Sequence, residues 1–426
     1  MPSTNIPYGS PQANTLQSAG LFAANMQRNT TMNRLTGKMP QQADAENNLR
    51  KQSPNEMPIV RCMDLQKMAG DEITFDLINP MGGKPIMGGD VAEGRGQKMS
   101  FSQDKLRINQ SRFPISAGDT MTQQRSPHQM RKLGRAMGES LMNRLADQSI
   151  LTHLAGSRGF HNNIEWVVPL ASDADFANVM INPVKAPTKN RHFLSTGSGI
   201  ETVKASGNEI SIATTDVLNG DTVDGIRTFI DSMALPPPPV IFEGDKMASD
   251  APLRVLLVSS EQYAGFLQTS GFRTLQANAM ARAQNAAMNP IFMGEAGLWN
   301  GILIVKMPKP IRFYAGDSLR WCQSYTSEAE TATDLVPAAF GTGFAVDRAI
   351  LLGGQALAEA WGKHAKSGNP FFWSEKEMDH DDKLELLVGA INGRSKIRFE
   401  VDHGDAKQFT DNGVIAIDTA VKLAGV

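Results

Sequence analysis

Ile73-Thr-Phe-Asp-Leu-Ile78, Met81-Gly-Gly-Lys-Pro-Ile-Met-Gly-Gly-Asp-Val-Ala-Glu-Gly-Arg-Gly96 and the stretch from Met99 to Ile115 decide how this chain folds. The two outer segments alternate apolar and polar residues, the period of a half-buried strand. The segment between them holds six glycines in sixteen residues. Two long strands joined by a glycine-rich tip predict a hairpin that projects from the body. A lone two-stranded hairpin is marginally stable, so another surface has to cover it.

The next segment predicts a long helix over 127–155. Ser126 stands as N-cap with Pro127 at the first helical position. Met130, Leu133, Met137, Leu141, Leu145 and Ile150 or Leu151 recur at three- and four-residue spacing until Gly156. At 1.5 Å per residue the helix spans about 43 Å. Its polar side sets Arg131, Lys132, Arg135 and Arg144 against Glu139 and Asp147. Such a face is either solvated or turned toward phosphate.

Upstream, residues 1–56 carry 8 Asn and 6 Gln, with prolines at positions 2, 7, 11, 40 and 54. A segment of this kind does not fold alone. Its scattered apolar residues Leu16, Leu21, Phe22, Met26, Met32 and Leu35 favour an arm that orders against a partner. Downstream, 157–215 is irregular, and a helix is predicted over Asp216–Met233. The prolines of Leu235-Pro-Pro-Pro-Pro239 then fix an extended linker. Leu253–Val258 reads as a buried strand, followed by a helix capped by Ser259 with Gln262 three residues on. An Ala-rich helix over Phe272–Met288 and strands over Gly301–Val305 and Ile311–Tyr314 come next. Leu384–Val388, Ser395–Val401 and Gly413–Ile417 predict three closing strands. The fold class is α+β, without strict strand–helix alternation.

A chain of 426 residues predicts two to three domains or one large elaborated one. Its 42 basic and 44 acidic residues give a net charge of −2, which excludes a global attraction to polyanions. Residues 81–145, however, hold 11 basic and 5 acidic groups, a balance of +6. Residues 371–426 hold 7 and 11, a balance of −4. These blocks attract one another either between copies or within one chain. The two cysteines, Cys62 and Cys322, exclude a disulfide scaffold and point to a reducing compartment. No signal peptide or apolar run long enough for a membrane span is recognisable, so a soluble intracellular product is expected. The 22 methionines suit adaptable packing surfaces.

Chemistry is sparse. The sequence contains no phosphate-binding loop, no dinucleotide-binding glycine motif and no nucleophile elbow. His380-Asp-Asp382 with Asp402-His403 and Asp405 is the one cluster that suits a divalent metal, yet its spacing matches no helical ligand pair. Three classes stay open: a shell-forming structural protein, a metal-dependent enzyme at His380 and His403, and a DNA-binding protein using the basic block 81–145.

Arm, projecting hairpin, long helix, mixed body and closing strands, in this order, resemble the major capsid proteins of tailed bacteriophages with the Hong Kong 97-like fold. Leu35-Thr-Gly-Lys-Met-Pro40, Met57-Pro-Ile-Val60, Gly70-Asp-Glu-Ile-Thr-Phe-Asp-Leu77, Pro85-Ile-Met-Gly88, Glu93-Gly94 and Gln124-Arg125 are similar to strings of the enquatrovirus-type phage capsid-like family. The resemblance implies an N-arm (1–56), a peripheral domain (57–71 and 117–234) with the spine helix, an extended loop (72–116), an axial domain (235–345) and a return with closing strands (346–426). Inter-subunit contacts are then expected at the loop tip, Gly82, Gly83, Lys84, Gly88, Gly89, Asp90, Glu93 and Arg95. Arm contacts are expected at Leu16, Leu21, Phe22, Met26 and Leu35. The basic spine-helix face is Arg131, Lys132, Arg135 and Arg144.

The implied function is a non-enzymatic structural subunit, without cofactor or metal, that self-assembles into an icosahedral shell around double-stranded DNA. Its implied partners are copies of itself as pentamers and hexamers, a separate scaffolding protein, a portal, a decoration protein, and packaged DNA met non-specifically. No membrane is involved. The implied location is the virion capsid, assembled in the bacterial host cytoplasm.

Overall fold

The computed structural model describes residues 35–36, 56–63, 70–78, 85–96, 99, 101–119, 130–161, 165–233, 235–242, 245, 252–267, 272–285, 297–365, 368–402 and 407–423. In chain order the strands are β1 (Ile59–Cys62), β2 (Glu72–Ile78), β3 (Phe101–Arg107), β4 (Asn109–Asp119), β5 (His192–Ser195), β6 (Ile200–Thr202), β7 (Ala205–Ser206), β8 (Glu209–Ile210), β9 (Arg254–Val258), β10 (Gly297–Trp299), β11 (Ile302–Lys306), β12 (Arg312–Tyr314), β13 (Ser318–Cys322), β14 (Thr331–Leu335), β15 (Phe344–Leu352), β16 (Leu357–Trp361), β17 (Phe371–Met378), β18 (Lys383–Lys396), β19 (Arg398–Asp402), β20 (Lys407–Asp411) and β21 (Val414–Lys422). The helices are α1 (Met130–Ala155), α2 (Phe176–Met180), α3 (Gly220–Ser232), α4 (Ser260–Leu267) and α5 (Phe272–Asn285).

An eight-stranded sheet runs β10-β11-β9-β15-β21-β5-β6, with β12 paired to β15. Its central strands are buried almost throughout, apolar apart from a few buried charged groups, and every residue of Arg254-Val-Leu-Leu-Val258 is buried. That pattern belongs to a sheet covered on both faces. One face packs against Val223, Ile226 and Ile230 of α3 and Tyr263 of α4. The other packs against Ile150, Leu151 and Leu154 in the last turns of α1.

The second large sheet is built on β18. This strand pairs with β17 through Lys383–Ala390, with β16 through Asn392–Lys396, and with β4 through Lys383–Asn392. Strand β1 lies parallel to β16. The N-terminal half of α1 rests on β4 and β18 through Gly134 and Gly138, which allow backbone and sheet to approach closely.

The predicted hairpin forms, with Glu72 paired to Arg107 at its base and Ile78 to Phe101 near its tip. Its second strand does not continue to Ile115. The chain changes sheet at Ile108, and β4 joins β18 in the body. Asn182 enforces the switch: its side chain accepts from Arg107 N at 2.9 Å and donates to the carbonyls of Arg107 (2.9 Å) and Arg394 (3.0 Å). Gly393 leaves room for the crossing, since a Cβ there would lie 1.9 Å from the Arg107 carbonyl oxygen.

Other expectations shift at their edges. The long helix is described from Met130, with Ser126 and Pro127 outside the described residues, and Gly156 ends it in the left-handed region at φ 69°. Helix α3 starts at Gly220 rather than Asp216, because Asn219 caps it through Thr222 N at 2.9 Å. Val217, before the cap, bridges to Ala420 instead. The helix predicted to Met288 is described to Asn285. The Ser259–Gln262 capping box is present: Gln262 N donates to Ser259 Oγ (3.2 Å) and Ser259 N to Gln262 Oε1 (2.8 Å).

The closing strands are divided between sheets. The first merges with the start of the second into the single 14-residue strand β18, whereas β21 returns to the eight-stranded sheet beside β15 and β5.

Candidate assembly surfaces

The hairpin is half attached. Ile73, Phe75 and Leu77 pack beside Leu106, Ala358 and Phe399, which anchors the base on the body. Toward the tip none of the described residues of the same chain covers it. Residues 85–96 are all exposed, and a Cβ built on Gly88, Gly89, Gly94 or Gly96 meets no atom within 4 Å. Gly88 and Gly94 turn the chain at φ 66° and 78°. Asp90, Glu93 and Arg95 stand exposed along it; Gly82, Gly83 and Lys84 fall outside the described residues.

The tip is also apolar. Ile78, Ile86, Met87 (74% exposed), Val91, Met99 and Phe101 (59%) all face outward. Leu133 and Met137 do the same on the N-terminal half of α1. Thirteen large apolar residues are exposed among the described residues, and eight of them lie between positions 78 and 137. Water does not favour such clustering, so it marks a surface made to be covered.

The arm contributes differently. Leu16, Leu21, Phe22 and Met26 lie outside the described residues. Leu35, expected among the partner contacts, is 2% exposed and packs into its own chain's core with Met57 and Ile59. Thr36 beside it forms a parallel bridge to Ile59.

The basic face of α1 is divided. Arg131 pairs with Glu375 of β17, and Arg135 lies 5.2 Å over the Trp373 ring. Lys132 and Arg144 are exposed, and Arg144 borders a cleft of about 310 Å³ with Asp147, Gln148, Glu165 and Lys309. Burial pushes the Asp147 carboxyl up to about 6, against the Arg394 charge. The Arg131–Glu375 pair joins the basic and acidic blocks within one chain. Asp411 and Asp418 of the acidic block are likewise spent internally, on Lys396 and Arg398 and on Arg348.

Sequence reasoning missed the buried ions that tie α1 to the eight-stranded sheet. Arg348 of β15 forms a fork on Asp418 (2.7 and 2.8 Å), and its third nitrogen donates to the carbonyl of Ala155, the last residue of α1. His192 Nε2 lies 2.6 Å from the same carboxylate. Burial opposes the charge on Asp418, yet Arg348 and His192 hold it well below the usual carboxylate range. A second anchor holds Asp347 between Arg312 and Ser259. These groups pair with one another in the interior.

The alternative metal cluster lies only partly among the described residues. His380 sits in the exposed β17–β18 turn, where Asp379, His380 and Asp381 are left-handed at φ 60°, 55° and 68°, and His403 is outside the described residues. Among the described residues no group of three or more His, Cys, Asp or Glu side chains is placed to hold a metal. No helix among them is long and apolar enough to cross a membrane.

A mixed sheet body, a long helix laid across it and an outward apolar hairpin define a shell-building subunit of the Hong Kong 97-like class. The phage capsid protein family matches residues 5–423, and the chain belongs to that family as a major capsid protein that forms the phage shell. Among solved structures, the chain is similar to the capsid of Ralstonia phage GP4 at 24% identity, with a TM-score of 0.65 over 88% of this chain and 90% of that one. The cyanophage Pam1 capsid is similar at 15% identity and TM-score 0.54, covering 85% and 88%. The head of Helicobacter pylori bacteriophage KHP40 follows at 12% and 0.53, covering 87% and 88%. No curated protein matches the chain.

Proposed function

We propose that the hairpin tip is the principal contact between copies of this subunit, docking on a neighbour's body and closing the sheet-and-helix units into pentamers and hexamers. The carrying observation is the crowding of exposed apolar residues into 78–137, six of them on a hairpin whose far end has no cover among the described residues. Burying them between copies removes that surface from water, at about 25 cal/mol per Å². Glycines let one tip sequence suit both kinds of ring.

In this reading α1 with the β18 sheet is the peripheral domain and 235–345 the axial one. The arm, through Leu16, Leu21, Phe22 and Met26, extends onto a neighbour from the Leu35–Thr36 anchor. Lys132 and Arg144 meet packaged double-stranded DNA without sequence preference. A separate scaffolding protein, a portal and a decoration protein complete an icosahedral head built in the bacterial cytoplasm, and the subunit carries out no catalysis. Electron microscopy of the chain coexpressed with its scaffolding protein tests the reading: closed shells are expected, and a stable ~46 kDa monomer under every condition rules it out.

A further inference from the structure

Among the described residues, buried Arg191 and Arg254 form no direct ion pair with a carboxylate, and Asp411 and Asp231 act on them only from a distance. Arg191, at the end of the single-turn helix before β5, is 3% exposed, and Arg254, at the start of β9, is 7% exposed. Arg61, Arg282, Arg312, Arg348, Arg394 and Arg398 are also buried, and each meets an Asp or Glu. Arg191 and Arg254 instead grip the proline strap: Arg191 donates to the Leu235 carbonyl, and Arg254 Nε donates to the Pro237 carbonyl at 3.0 Å. The Arg254 charge acts unfavourably on Arg191, so the two guanidiniums lie near one another.

Their hydrogen bonding is incomplete. A guanidinium has five N–H donors. Arg191 Nε is buried without any acceptor, and its Nη1 reaches only the Met233 sulfur. Arg227, the next cation, is already paired with Asp231 at 2.9 Å. A buried charge offset only from a distance is costlier than one that directly faces an opposite charge.

We propose that Arg191 and Arg254 hold a small oxyanion of the phosphate class beside the proline strap. The guanidinium fork matches two oxygens of a tetrahedral oxyanion. Burial of both side chains leaves a duplex or a peptide no approach. With the ion in place, the strap is latched to β5 and β9 at one point, and the joint between residues on either side of 235–239 stiffens.

Thermal unfolding of the full chain as unassembled subunits, in sodium phosphate and in sodium chloride at equal ionic strength and pH, reads the site. The Tm is expected to rise with phosphate and saturate, and calorimetric titration to give about one phosphate per chain. Arg191→Met and Arg254→Met each abolish the rise, whatever they do to the Tm in chloride. Identical wild-type curves in the two salts overturn the proposal, as does a phosphate-dependent rise that survives both substitutions.

Discussion

Gly138 of the long helix lies so close to Val388 of β18 that a Cβ on the glycine would stand 2.7 Å from Val388 Cγ2 and 3.0 Å from Ile115 Cδ1. One turn earlier, a Cβ on Gly134 would stand 2.7 Å from Leu386 Cδ1. The helix therefore meets the sheet backbone-first along this half, and side chain-first only further on, through Met142. Each glycine weakens the helix by about 1 kcal/mol relative to alanine, a cost accepted for the close approach.

Gly138→Ala is expected to destabilise the subunit by about 1–2 kcal/mol in urea unfolding, because branched, stiff Val388 cannot turn aside and overpacking outweighs the gain in helix propensity. Gly134→Ala is expected to fall within about 1 kcal/mol of wild type, since the clash is with the end of a flexible leucine. Equal losses at the two sites would show that the sheet, and not the one valine, sets the limit.

The Asp147 carboxyl, raised to about 6 from 3.8, binds its proton more tightly folded than unfolded. It therefore costs stability as pH rises from about 4 through 6, by up to about 3 kcal/mol. Buried His153, lowered to about 3, has the opposite sign, adding stability as pH rises from 3 through 6.5. Asp147→Asn isolates the first effect: the variant should match wild type near pH 4 and exceed it at pH 7–8. A constant offset across that range refutes the assignment.

Asp418→Asn breaks the fork with Arg348 and leaves a buried cation without its counter-charge. A loss of about 3–5 kcal/mol is expected. Hydrogen exchange should show the last turn of α1 opening first, because Arg348 also holds the Ala155 carbonyl there.

Met87→Asp with Phe101→Asp places charge on the most outward part of the hairpin. Both residues are exposed, so the subunit should keep its unfolding midpoint while shells disappear from electron micrographs. Normal shells from this variant would remove the hairpin from the assembly surface. His380→Ala, in the exposed turn, should leave shells unchanged.

The hairpin was legible because alternation and glycine content are local signals. Its end at Ile108 was not: the alternation runs on without a break, and the switch of sheets is imposed by Asn182 and Gly393, 75 and 286 positions from Arg107. Gly389 and Gly393 fall in the gap between the predicted strands Leu384–Val388 and Ser395–Val401, yet both lie inside β18. They are glycines because the Phe372 ring and the Arg107 carbonyl approach within 2.3 and 1.9 Å of where a Cβ would be. The Ser259–Gln262 box was legible for the same reason as the hairpin, whereas its grip on Asp347, 88 positions away, was not. Leu35 looked like an arm residue because its neighbours are polar, and only the fold shows it packing on Ile59.

The sheet switch at Ile108 also has a mechanical meaning. Strand β3 of the hairpin passes through one residue into β4, which lies antiparallel along β18 from Asn392 to Lys383. If the hairpin docks on a neighbour as proposed, a pull on it would run along β4 and load its hydrogen bonds in shear, all together. Peeling them one at a time would need force from another direction. Under the proposed docking, the covalent path that would carry the contact makes the joint strongest along the line of that pull.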